Sequence, residues 1–435
     1  MDLQAIEKAP AQDGYLFSRG QAWFAFAMTL ALMIFDYVDR QVIVSLFPHL
    51  KAEWGLSDKQ LGALVSVVSI TVAAGALPVA LFADRVSRVK SIVAMATIWS
   101  LATISCMWAR NYGALMAARA TVGLGEAGYG SVGAALIASH FPSRMRGALL
   151  AAFFACASVG SVLGVMLGGV IASKWGWQAA FGVVGFPGLL LALLYLKVRD
   201  YDTVKLAPGL DAKRKSLGET VKHIAGILAR SRTMLWVCIG GAAQLIVVSA
   251  LWSWLPSFLN RVHGIAPAQA GVKAAMVVLA GAAGAVILGG VVDRAGGLQP
   301  RRKLATMALL CVAAMAVLVA AFGLRLEPPV QFALIVLGGF LATCTVGPVS
   351  AIVIDVIHPG VRATGSSVLA LFQNLFGLAV GPFLAGILSD AWGLVPALTA
   401  MPLFALVAAG AFLLAANSYE GDKARADQPL DPALA

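Results

Sequence analysis

The chain has 435 residues, 60% of them hydrophobic and 12% charged, where a soluble domain carries about 25% charged residues. That deficit excludes an ordinary soluble globule. The formal net charge of +11 does not argue for nucleic-acid binding, because the basic residues gather in alternate loops between apolar runs, the positive-inside pattern of a membrane protein.

Apolar runs long enough to cross a hydrocarbon core, about 20 residues each, recur along the whole length. Twelve are read, near 22–48, 60–82, 91–108, 114–138, 148–172, 178–197, 233–259, 268–292, 304–323, 330–357, 363–388 and 394–416. They are too long and too uniformly apolar for barrel strands, so helices are expected. The predicted fold class is an all-α membrane protein with twelve transmembrane helices in two pseudo-symmetric six-helix halves.

In chain order, 1–21 is a polar segment with both signs of charge and no small-residue cleavage site, so no cleaved signal peptide is expected. The first half, 22–198, opens with a span containing IFDYVDRQVI, which sets Asp36, Asp39 and Arg40 among apolar residues. Asp36 and Arg40 stand one helical turn apart and can share a face. The loop after the second span carries Asp84, Arg85, Arg88 and Lys90. The fourth span holds Arg119 and Glu126, two turns apart on one stripe. Its GLGEAG, Gly123 to Gly128, satisfies G-x-G-x-x-G, yet no strand precedes it, so helix packing is the expected role rather than nucleotide binding.

Gly160, Gly164 and Gly168 repeat at four-residue spacing in the fifth span, which lets helix backbones approach. Two readings stay open: packing alone, or a span that, with its counterpart around Gly377, Gly381 and Pro382, slides or bends at the interface between the halves.

A polar linker, 199–232, contains Pro208, Gly209 and the AKRKS cluster, and its SLGETVKHIAGIL reads either as a surface amphipathic helix or as a solvated one. The second half spans 233–416. It carries Gln244, Trp252 and Trp254 in its first span, Asp293-Arg294 after its second, Thr343 and Thr345 in its fourth, and Gln373 and Asn374 in its fifth. The polar groups read equally as interhelical hydrogen-bonding residues or cavity lining, and the tryptophans as interface anchors. The tail is 417–435.

The halves echo each other. Asp84-Arg85 matches Asp293-Arg294, Trp175-Gly176 stands eleven residues after Gly164 as Trp392-Gly393 does after Gly381, and Phe141-Pro142 matches His358-Pro359. Two parallel six-helix repeats are the mark of one transporter architecture. The five cysteines all fall inside predicted spans and the five histidines lack ligand spacing, so neither disulfides nor metal is indicated. There is no Walker A, H-E-x-x-H or G-x-S-x-G sequence. An enzyme, a catalytic residue or a cofactor is therefore not expected.

On these motifs the chain resembles the major facilitator superfamily over about 22–416. ALFADRVSRVK, Ala80 to Lys90, is similar to that family's loop between spans two and three, with Ala80 in place of the usual glycine, and GGVVDR, Gly289 to Arg294, is its second copy. YVDR, RATVGLGEA and QNLFG (Gln373 to Gly377) resemble the anion:cation symporter branch, the first two also the spinster-like transporters, while WSWLPSFL and RATG resemble both.

The resemblance implies proton-coupling roles for Asp39 and Glu126 and an anion-binding role for Arg40. Arg119 would help hold and tune Glu126 and, with Tyr37, Asn374 and Gln373, would line the substrate site, and Asp84, Arg85, Arg88, Asp293 and Arg294 would gate it. Asp36 has no implied role beyond neutralising Arg40.

A charge at bilayer depth costs about 2.5–3.5 kcal/mol on insertion scales and is kept only with a partner or a role. Three carboxylates against two guanidiniums leave one negative charge, so one proton neutralises the set. The expected function is a proton-coupled carrier of a small organic anion, such as a sugar acid or other carboxylate. The alternative is a spinster-like carrier of lysophospholipid or another amphipathic lipid. Either would be a multi-pass protein of a bacterial inner membrane, with both termini cytoplasmic, membrane lipids around it and a monomeric working form.

Overall fold

Ser18, Ser57, Ser87 and Asn111 each accept a hydrogen bond from the backbone N–H three residues on, at 3.4, 3.2, 3.1 and 2.8 Å. These caps satisfy donors that a helix start leaves free, and they fix where four helices of the first half begin. At Ser57 the cap is reciprocal, since Gln60 Oε1 accepts from the Ser57 N–H at 2.9 Å. The computed structural model describes residues 15–200, 226, 231–297, 300–357 and 362–426, without the side chains at 77, 80, 81, 84, 85, 143, 300 and 362–364.

The first half comprises α1 (Arg19–Val42), which runs through a 3-10 turn into α2 (Phe47–Trp54), then α3 (Asp58–Val86), α4 (Arg88–Ser105), α5 (Tyr112–Glu126), α6 (Tyr129–His140), α7 (Ser143–Trp175) and α8 (Trp177–Tyr195). The second comprises α9 (Arg232–His263), α10 (Pro267–Gly296), α11 (Pro300–Gly323), α12 (Pro328–Ala342), α13 (Val346–Asp355), α14 (Arg362–Phe372), α15 (Val380–Trp392), α16 (Leu394–Ala400) and α17 (Phe404–Ala426). Among the described residues there is no strand.

Among the described residues, eleven stretches are helical, long and apolar enough to cross a membrane. The remaining crossing, expected near 114–138, is the pair α5 and α6. It is interrupted where Ala127 is extended and Gly128 takes φ 84°, a left-handed conformation that favours glycine. The tenth crossing is likewise divided, between α12 and α13.

The duplication reaches the backbone. Gly176 and Gly393 have φ/ψ of 85°/160° and 90°/161°, and Gly55 and Gly264 end their helices at φ 64° and 65°. Gly160 and Gly164 of α7 lie on the carbonyls of Ile34 and Val38 of α1, as Gly377 and Gly381 lie on those of Ala242 and Ile246 of α9. These glycines, with Gly168 against Val42, therefore pack within a half, while other residues of the same two spans form the seams between the halves.

The halves meet along two seams, each closed by glycine on backbone. Gly62 of α3 abuts Pro382 and Gly386 of α15 abuts Asp58; in the other seam Gly271 of α10 abuts Val165 and Gly169 of α7 abuts Pro267. Even crossing numbers bring the described ends of both halves to one side, here the termini side. The turns at Gly55, Gly176, Gly264 and Gly393 lie on the opposite, far side.

The predicted linker helix of 216–228 lies outside the described residues except position 226, as do His358-Pro359 and most of the tail beyond α17.

Candidate functional site

The charges foreseen in the first and fourth spans converge. Arg40 Nε lies 2.9 Å from Glu126 Oε2 and 3.6 Å from Asp36 Oδ2. Arg119 Nη1 donates to Asp39 Oδ1 at 3.1 Å and to the Asp39 carbonyl at 3.2 Å. The second Asp39 oxygen accepts from the Thr103 hydroxyl of α4. Arg119 is fully buried and Asp36, Asp39 and Glu126 are 1–3% exposed, whereas the Arg40 side chain remains 17% exposed, with its guanidinium 5.2 Å from the Tyr37 ring centre.

One expected pairing is thus exchanged. Arg119 and Glu126 share a stripe of α5, but each turns to a different residue of α1: Arg119 holds Asp39, and Glu126 meets Arg40. The reason is the end of α5. Glu126 is its last residue, and the break at Ala127-Gly128 sets that carboxyl beside α1 at the level of Arg40, one turn from Asp36. Discontinuous helices at mid-crossing are a recurrent way of building transporter sites. The glycines of GLGEAG accordingly divide: Gly123 and Gly125 bring α5 onto Val68 of α3 and Trp99 of α4, while Gly128 interrupts the helix.

The Arg40 group is close without being saturated. Both Glu126 oxygens, Asp36 Oδ1 and Arg40 Nε are buried with no aligned hydrogen bond. The Asp39 group is the tighter of the two, with both carboxylate oxygens accepting from named donors. Thr103 was not foreseen, since a lone threonine in an apolar span carries no sequence signal.

Gln373 and Asn374 sit half-buried in a π-helical turn, Gln373–Leu378, between α14 and α15, where Asn374 Nδ2 donates to the Ala370 carbonyl at 2.9 Å. Such turns are frequent at functional sites. No described bond joins them to the charged cluster. Gln244 donates to the Ala342 carbonyl at 2.8 Å and Thr343 to Gly281 at 2.7 Å, which is interhelical bonding. Trp254 is fully buried and donates to the Pro382 carbonyl at 3.0 Å, so it is a packing residue and not an interface anchor.

Of the residues expected to gate, Asp84 and Arg85 have side chains outside those described. Arg88 donates to Ser139 at 3.1 Å, Asp293 pairs with Lys303 at 2.7 Å, and Arg294 is exposed.

The second half supplies a structural counterpart to the site. Gly381 lies on Ile246 as Gly164 lies on Val38, so the places of Asp36, Asp39 and Arg40 are held there by Gln244, Val247 and Val248. Gly339 lies on Val277 as Gly123 lies on Val68, which assigns Ile335 and Ala342 to the places of Arg119 and Glu126. One neutral bond, Gln244 to Ala342, and an apolar pair, Val247 and Ile335, stand where the first half has five charges.

A family model described as the Major Facilitator Superfamily matches residues 29–382. Among curated relatives, an MFS-type efflux pump of Mycolicibacterium smegmatis is 28% identical over 85% of this chain and 85% of its own length. Protein spinster homolog 3 of Danio rerio is 25% identical over 86% and 78%, and a gallate transporter of Pseudomonas putida 27% over 90% and 91%. A solved bacterial homologue of the human lysosomal transporter spinster, inward-facing and occupied, superposes with a TM-score of 0.82 at 22% identity, covering 96% of this chain and all of the other.

Proposed function

This chain belongs to the Major Facilitator Superfamily and is a membrane transporter, and from that premise we propose that it couples protons to the movement of a small organic anion by alternating access. The observation that carries the reading is the buried ion network between α1 and α5, which the second half of the same fold does without. Relatives that carry gallate and, by name, L-galactonate and niacin support an organic acid as cargo.

Arg40 is the group a substrate reaches, because it alone of the five charges keeps an exposed side. Its guanidinium is occupied by Glu126 and Asp36, so an incoming carboxylate competes with them. A proton on either carboxyl releases the guanidinium to bind the anion, for which its planar fork is suited. Proton and anion therefore load together, the condition for symport. Arg119, enclosed and held by Asp39, positions the second pair and is not the first contact of the substrate. Gln373, Asn374 and Tyr37 line the approach. With both termini in the cytoplasm of a bacterial inner membrane, the far side faces outward, and a monomer among membrane lipids suffices.

The test is substrate-dependent proton movement in proteoliposomes with hexonates, hexuronates, aromatic acids and lysophospholipids, and Glu126→Gln as control. Proton flux with a soluble acid is expected, with loss of proton-driven accumulation but retained exchange in the variant. A spinster-like lipid cargo is the second reading, kept because the chain is also similar to Protein spinster homolog 3 and to the solved bacterial spinster homologue. Silence with every soluble acid and a response to lysophospholipid would select it.

A further inference from the structure

The far side holds a polar network that the function above does not use. Asp58, the first residue of α3, is 3% exposed. Its Oδ1 accepts from Lys51 Nζ at 2.6 Å, and its Oδ2 accepts from Arg261 Nη1 of α9 at 2.7 Å and from the Ser389 hydroxyl of α15 at 2.5 Å. One residue on, the carboxylate of Asp390 accepts from the backbone N–H groups of Asp58 and Lys59, both at 2.8 Å. Lys51 and Asp58 belong to the first half, and Arg261, Ser389 and Asp390 to the second. Beside them Lys59 lies 5.9 Å from the ring centre of Phe383, and Phe47 packs at 5.2 Å on Trp254, both pairs again crossing between the halves.

The other seam shows that closing the halves does not need such a network. Its glycines meet backbone in the same way, Gly169 on Pro267 as Gly386 on Asp58. By that correspondence Pro267 stands where Asp58 does, Ala172 where Ser389 does and Ser173 where Asp390 does, and Ser173 spends its hydroxyl on Val170 of its own helix. Packing is duplicated and the polar bonds are not, so the bonds are an addition to one seam.

We propose that Asp58, gripped by Arg261 and Ser389 and capped by Asp390, is a latch that holds the far side shut and must be released for that side to open. The five bonds of the network share one short region, and the four that cross to Arg261, Ser389 and Asp390 break together when α3 separates from α15 and α9, while Lys51 stays with Asp58. That makes release all-or-none. The latch sets the resting conformation of the empty carrier and lies far-side of the Arg40 cluster, so it acts on access and not on the binding chemistry. It rests on the reading of the chain as an alternating-access carrier.

The test measures opening directly, without substrate or gradient. Spin labels at Arg110→Cys and Arg325→Cys, exposed far-side positions in opposite halves, in a Cys156→Ala background report the far-side separation by pulsed dipolar spectroscopy. Asp58→Asn is expected to raise the long-distance population about tenfold, and Asp390→Asn, which keeps an acceptor, to raise it less. Ser389→Ala serves the same measurement should Asp58→Asn fail to fold. Distance distributions that superimpose on the parent's in the folded variants would overturn the latch. Proton flux is not read in this assay, so a failed symporter reading and a failed latch remain distinguishable.

Discussion

Val247 and Ile335 in the second half occupy the places of Asp39 and Arg119 in the first, each 1–2% exposed, on a backbone that the two halves share. The comparison separates what the fold requires from what has been added to it. Bringing the first span of a half against its fourth needs a close-packed pair and a broken fourth crossing, and an apolar pair meets that need. Five charges in the same setting bring a desolvation cost that hydrophobic residues of like volume avoid. Their presence on one side only is therefore evidence of a role other than holding helices together.

The most demanding way to break that inference is to give the first half the second half's solution. Arg119→Ile alone leaves Asp39 buried with only Thr103 and should cost about 3–5 kcal/mol of stability. Adding Asp39→Val removes the orphaned charge, and the double variant should regain the parent's thermal stability or exceed it by about 1–4 kcal/mol, since buried pairs replaced by apolar residues are often neutral or stabilising. Transport should be absent in both. Thermal unfolding in detergent, read beside uptake in proteoliposomes, checks the pattern; a double variant as unstable as the single one would make the ion pair structural.

The shared scaffold is sharpened by the reverse expectation, equal effects at related sites. Gly176 and Gly393 both sit near φ 90° and ψ 160°, a region closed to other residues. Gly176→Ala and Gly393→Ala should each cost about 1–3 kcal/mol and match one another. A large difference in their unfolding temperatures would show that one turn carries more than backbone geometry.

Much of this was legible in the sequence, and the reason is depth. Charges inside apolar runs are conspicuous because bilayer burial makes them expensive, so Asp36, Asp39, Arg40, Arg119 and Glu126 stood out, and the spacing of Trp-Gly and Asp-Arg pairs disclosed the repeat. Partner choice was not legible. Arg119 and Glu126 share a stripe, but which residue each faces depends on the break at Gly128, and glycine in a packed span reads alike whether it packs or bends. The latch was missed for a related reason. Asp58 lies in SDKQ, which forms the capped start of α3, and Ser389 and Asp390 become its partners only through the fold.

The smallest expected effect belongs to Thr103, and it tests whether the Asp39 group behaves as one unit. Thr103 donates to the Asp39 oxygen that Arg119 does not take. Thr103→Val keeps the branched shape and removes the donor, so packing is little changed and the loss is that of one hydrogen bond to a buried carboxylate, about 1.5 kcal/mol with the pair to Arg119 remaining. Thr103→Ser restores a hydroxyl at the same place and should recover most of that stability. In the background of Asp39→Val with Arg119→Ile the acceptor is gone, and Thr103→Val should then cost nothing or help, because the threonine itself has lost its partner. The difference between the two backgrounds is the coupling energy of Thr103 with the pair. A cost that persists unchanged after Asp39 is removed would mean that the hydroxyl serves α4 alone and that the second carboxylate oxygen is held by something other than Thr103.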